Sequence, residues 1–61
     1  DLEYASFKNA NLSNANLEFA KLTGTDFTGA NLTNTNFSNA ELGANNFSNA
    51  IGLDKTVGLK R

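Results

Sequence analysis

The sequence predicts an all-β solenoid: a quadrilateral β-helix with four five-residue repeats per coil and about two and a half coils. Two observations carry this. Written in fives from Ala5, the chain reads ASFKN, ANLSN, ANLEF, AKLTG, TDFTG, ANLTN, TNFSN, AELGA and NNFSN, and the middle residue is always Leu or Phe. Leu2 extends the series backwards, and two residues before each middle stands a small residue, usually Ala. We refer to these as the large and small positions. The second observation is a longer period. Residues twenty apart form the columns Leu2/Leu22/Leu42, Phe7/Phe27/Phe47, Leu12/Leu32 and Leu17/Phe37, so three of the five Phe residues fall in one file.

A period of five suits neither common element. On a helix, five steps of about 100° would scatter the Leu and Phe side chains around the cylinder. On a flat strand an odd step would flip them from face to face. One buried set requires the backbone to turn once per repeat, and the intervening Asn, Gly, Ser, Thr and Asp are turn residues. Four near-right-angle turns close a coil of twenty residues, and coils of this kind stack about 4.8 Å apart through backbone hydrogen bonds. Four repeats per coil also put Phe on Phe, a favourable ring contact. Three per coil would leave no two Phe rings adjacent in a column.

At this point the chain resembles the pentapeptide-repeat family, whose motif is A(D/N)LXX, over residues 1–50. The resemblance implies a right-handed quadrilateral β-helix. The family is abundant in cyanobacteria and other bacteria and occurs in plant chloroplasts. A bacterial or plastid source is therefore implied, with the cytoplasm ahead of the plastid or thylakoid lumen as the compartment.

The elements follow in order. Asp1 to Tyr4 is a truncated repeat with no cap before it, as a fragment or processed product would show. Residues 5–49 are the regular body, within a repeat domain of residues 1–50. In the body Leu22, Phe27, Leu32 and Phe37 should be the most deeply buried large residues, having neighbours above or below. The small column Ala5/Thr25/Asn45 turns polar, so the Thr25 hydroxyl and Asn45 amide are expected to bond each other or nearby backbone. Asn11/Asn31 and Asn16/Asn36 are expected to form amide ladders. Lys21, between Asp1 and Glu41, is expected to pair with both. Residues 51–61 break the period, with Gly52 where Leu or Phe is due. They read as an irregular cap folding over the lower coil through Ile51, Leu53, Val57 and Leu59. Asp54 can start a helical turn, Thr56 to Gly58 discourage its extension, and Lys60 and Arg61 read as frayed.

Chemistry is sparse. With no His and no Cys among 61 residues, the chain has no usual zinc donors, no triad and no disulfide. Gly24, Gly29 and Gly43 fill turn slots, not a phosphate loop. Glu18, Asp26 and Glu41 lie on different faces, so no acid/base pair forms. The sequence therefore implies no catalytic residue, no cofactor, no metal and no small-molecule substrate. A net charge of -1 argues against a surface for nucleic acid or anionic membrane, and no apolar run could span a bilayer.

Non-catalytic structural or protein-interaction roles remain. The runner-up is DNA mimicry, since some family members resemble a duplex in shape and charge and inhibit gyrase. That role needs a long acidic rod, whereas the coils here carry Asp1, Glu3, Glu18, Asp26 and Glu41 against Lys8 and Lys21. Ice binding needs Thr stacked on one face, and Thr23, Thr28 and Thr33 fall on three. The informative departures are Tyr4 and Phe19, aromatics in slots that elsewhere hold Asn, Gly or Ala. With Leu2 they mark a candidate interaction surface at the uncapped N-terminal end. A protein partner, a second copy docked head to head about a two-fold axis, or a missing N-terminal segment of the parent protein would cover it. The alternative is that both rings fold against the neighbouring corner.

Overall fold

The computed structural model describes residues 1–59. Its organising contacts are parallel bridges between residues twenty apart: Ser6 with Asp26, Asn11 with Asn31, Asn16 with Asn36, Lys21 with Glu41, Asp26 with Asn46, and Asn31 with Ile51. The chain thus passes over itself every twenty residues, as the columns require. Among the described residues no bridge extends into a strand, because each side of a coil is only five residues long and a turn occupies most of it.

Each turn begins at a large position. The carbonyl of Phe7 accepts the N–H of Ala10 at 3.0 Å, and the same bond recurs from Ala15 to Leu12, Thr35 to Leu32 and Ala40 to Phe37. The third turn residue has positive φ: Asn9, Asn14, Gly24, Gly29, Asn34, Asn39 and Asn49 all lie between 58° and 75°. Positive φ at that place is the signature of a type II turn, for which Gly and Asn are the favoured residues. The residue just before each large position braces the turn from outside. Asn11, Asn16, Asp26, Asn31, Asn36 and Asn46 each accept, on Oδ1, the N–H two residues ahead. The expected amide ladders are therefore absent among the described residues. Each of these oxygens bonds its own turn and not the amide of the next coil.

Inside, the rings of Phe7, Phe27 and Phe47 form the expected stack, with centroids 5.7 and 5.3 Å apart and planes within 9° and 2° of parallel. Phe37 meets Phe27 edge-on at 5.8 Å. Leu22, Phe27, Ala30, Leu32 and Phe37 are buried, together with Thr25 and Thr35. All of these belong to the middle coil. The large residues of the first coil and of the last, Leu42 and Phe47 included, pack on this core but stay half-buried.

The polar small positions are satisfied by backbone, not by each other. Thr25 Oγ1 donates to the Leu2 carbonyl at 2.7 Å and Thr35 Oγ1 to the Leu12 carbonyl at 2.8 Å, each 23 residues back. Asn45 Nδ2 donates to the carbonyls of Leu22 and Thr25, at 2.7 and 2.8 Å.

Residues 51–59 do not fold under the lower coil as a cap. They continue its wall. Ile51 pairs with Asn31 and Val57 with Asn36, and between them a single 3-10 turn, Leu53–Lys55, inserts one residue. Gly52, at φ 77°, opens that turn without a side-chain cap, and Asp54 lies inside it. A Cβ at Gly52 would lie 2.8 Å from Thr33 Cα, so the wall can run on beneath the second coil only with glycine there. Ile51 and Val57 then point outward, while Leu53 and Leu59 reach the core. Lys60 and Arg61, expected to fray, lie outside the described residues.

Candidate interaction surface

The surface is built from corners. Where Asn or Gly fills the third turn position, positive φ costs little. Tyr4 and Phe19 occupy the same position at φ 62° and 61°. Their turns are otherwise regular: Tyr4 donates its N–H to Thr23 O and Phe19 to Ser38 O, both at 3.0 Å. A bulky residue in this left-handed region is strained by about 1–2 kcal/mol. Deep burial would offset that, yet Tyr4 is 79% exposed and Phe19 70% exposed. The two corners flank the wall that carries Asp1, Lys21 and Glu41.

Tyr4 nevertheless lies down on the corner beneath it. A Cβ on Gly24 would fall 2.5 Å from Tyr4 Cδ1 and 2.6 Å from Cε1, so the ring rests where only glycine leaves room. One face of the Tyr4 ring is seated against the neighbouring corner and the rest is open. Leu2, the third candidate, is half-buried and packs on the core from the first coil. Sequence reasoning missed a second apolar surface, Ile51 and Val57, exposed in positions held by Asn one coil earlier. For Ile51 the signal was the period itself, which puts it in the column of Asn11 and Asn31; Val57 is turned outward by the one residue inserted between them.

The charges do little here. Lys21 makes no ion pair with Asp1 or Glu41 among the described residues, and Asp1 Oδ1 instead accepts the Glu3 N–H at 3.1 Å. The observed pair is diagonal, Lys8 Nζ to Asp26 Oδ2 at 3.9 Å. Asp26 is held below the usual carboxylate range, first by the hydroxyl and then by the N–H of Thr28, with Lys8 adding a smaller pull. A carboxylate so engaged is a turn brace, poorly suited to proton transfer. No group of three or more His, Cys, Asp or Glu able to hold a metal occurs among the described residues. An open groove of about 530 Å³ runs along the lower rim, lined by Thr23, Asn39, Ala40, Glu41, Leu42 and Gly58. Among the described residues no helix is long and apolar enough to cross a membrane.

The family model described as Pentapeptide repeats matches residues 1–29 and 20–51, with eight copies of the motif. The chain belongs to the pentapeptide-repeat family. Its repeat module covers the whole of the regular body and the start of the third coil's later wall. No curated protein and no solved structure matches the chain.

Proposed function

We propose that this pentapeptide-repeat chain is a non-catalytic structural or protein-interaction module. In this reading it is a right-handed quadrilateral β-helix, with about two and a half coils of regular repeat, that meets protein through its N-terminal end. The observation that carries the reading is the pair Tyr4 and Phe19: two aromatic side chains that are both strained in backbone and open to solvent. Strain kept without burial is expected at contact sites. Leu2 lies at the same end and adds half-buried core surface. Light scattering at high micromolar concentration should show association for the parent and a monomer for Leu2→Lys, Tyr4→Lys. A parent that is strictly monomeric and equal in stability to the double variant would remove the self-association form of this reading.

DNA mimicry gains no support. It asks for a long acidic rod, and the described residues span only 21 × 19 × 18 Å.

A further inference from the structure

Four stretches of the walls share one spelling: Asn11-Leu12-Ser13, Asn31-Leu32-Thr33, Asn36-Phe37-Ser38 and Asn46-Phe47-Ser48. Each is Asn, then a residue other than Pro, then Ser or Thr, which is the acceptor sequence for an N-linked sugar. The fold displays all four in one way. The middle residue is a large position that packs in or on the core. The Asn and the hydroxyl residue flank it two apart on an extended segment, so both face outward. In every case the backbone N–H of the hydroxyl residue holds the Asn Oδ1, at 2.9 to 3.1 Å. That leaves Nδ2 on the far side of the amide, where it donates no hydrogen bond among the described residues. No buried side-chain nitrogen there lacks a partner, so these four Nδ2 atoms are open to solvent.

At two sites the hydroxyl lies against the same oxygen. Ser13 Oγ donates to Asn11 Oδ1 at 2.7 Å and Thr33 Oγ1 to Asn31 Oδ1 at 2.8 Å. The amide and the hydroxyl, the two groups a transferase has to read, are there already side by side. The turn itself does not require the hydroxyl. Asn16 makes the same brace with the N–H of Glu18 at 3.0 Å and has no hydroxyl two residues on.

We propose that these asparagines are acceptors of N-linked sugar, with Asn31, held in the middle coil, the first among them. The donor is a sugar activated at C1 by a diphosphate, either a nucleotide sugar or a lipid-linked oligosaccharide. Nδ2 attacks C1, and the new C–N bond forms as the C1–O bond to the diphosphate breaks. The diphosphate leaves with that electron pair, and one Nδ2 proton passes to a base of the transferase. The four sites lie in the columns Asn11/Asn31, Asn16/Asn36 and Asp26/Asn46. None lies in the column Lys21/Glu41, so the wall between Tyr4 and Phe19 stays bare. The proposal does not depend on how that wall is used.

Peptide mapping with electron-transfer fragmentation tests it, on the protein isolated from the cells that make it. Sugar is expected on Asn31 and on one or more of the other three sites, with none on Asn16. A single hexose at each site identifies the nucleotide-sugar donor, and an oligosaccharide the lipid-linked one. Thr33→Ala, produced in the same cells, should lose the sugar at Asn31 and keep it elsewhere, whereas Thr33→Ser should retain it. A bare Asn31 in the parent overturns the proposal and requires no variant to fold. Equal occupancy of Asn16 and Asn31, or an Asn31 as occupied in Thr33→Ala as in the parent, also overturns it, since the hydroxyl is then not read.

Discussion

The side-chain amide of Asn45 bonds the carbonyl oxygen of Leu22 at 2.7 Å, tying the third coil to the corner directly above it. Its Oδ1 meanwhile accepts the Gly43 N–H at 2.9 Å. This is the one regular corner where the usual closing bond is missing, for Asn45 N–H does not reach Leu42 O. Asn45 Oδ1 thus braces its turn as the Asn or Asp before the large position does at other corners, and its Nδ2 serves the Thr25 carbonyl besides.

Removing it should be costly. Asn45→Ala leaves the Thr25 carbonyl and the Gly43 N–H without their partners, and we expect a loss of about 2–3 kcal/mol in urea unfolding. Thr35→Val is the comparison. The Leu12 carbonyl it abandons keeps the Ala15 N–H at 3.0 Å, so about 1 kcal/mol is expected. Equal costs for the two variants would show that the corner at Leu42 closes in the ordinary way once Asn45 is gone.

Phe27 is fully buried between Phe7 and Phe47. Truncation to Ala should destabilise by about 3–5 kcal/mol, enough to unfold a chain of this size. A melting temperature within a few degrees of the parent would contradict the stack.

Backbone strain predicts stabilising changes. Ala44 takes the positive φ, 55°, at its corner, although Gly43 stands beside it. Ala44→Gly should raise stability by about 1 kcal/mol without altering association. Phe19→Asn should likewise raise stability, since the ring is mostly exposed, but should weaken association. Thermal melts paired with light scattering separate the two effects. Loss of stability in Phe19→Asn would mean that the ring packs more than its exposure indicates.

Acid should expose the role of Asp26. Its carboxyl is lowered below its ordinary value of 3.8 by the Thr28 bonds first. A depressed folded value means that the stabilisation is complete above the unfolded value and is lost as pH falls through the folded one. Asp26→Asn keeps the turn bond, as Asn31 does with Thr33, but has nothing to protonate. Its unfolding curves should therefore change less than the parent's between pH 4 and lower values, on the order of one protonation step. Identical acid profiles would show that the Thr28 bonds do not distinguish the charged form. The same variant, with Glu41→Gln, should leave any co-purifying hydrolytic or transfer activity unchanged, as expected of a non-catalytic module.

Much of the architecture was legible because the repeat ties each residue to its neighbours by number alone. A turn every five residues puts small and large positions on one side, and a coil of twenty places Phe27 between Phe7 and Phe47. The family, the core residues and the odd status of Tyr4 and Phe19 all follow from that arithmetic. Polar partners were less legible. Whether an Asn bonds the coil above or its own turn depends on distances of an ångström, and the local N–H two residues ahead lies nearer. Lys21 likewise makes no ion pair with Asp1 or Glu41 among the described residues, because the period sets the column but not the rotamers of exposed charged side chains.

The tail shows the boundary most clearly. From composition, Ile51, Leu53, Val57 and Leu59 were four equal apolar groups suited to a cap. Only the three-dimensional course of the backbone separates them. Ile51 keeps the outward register of Asn31, and the turn at Leu53–Lys55 then adds one residue, which puts Val57 in the outward register of Asn36 while Leu53 and Leu59 pack on the core. The sequence by itself determined the repeat, the columns and the buried stack, because those rest on local turn preference multiplied by a constant period. The tertiary structure decided the hydrogen-bond partners and the course of residues 51–59. Those depend on which way each peptide group points once the coils are stacked.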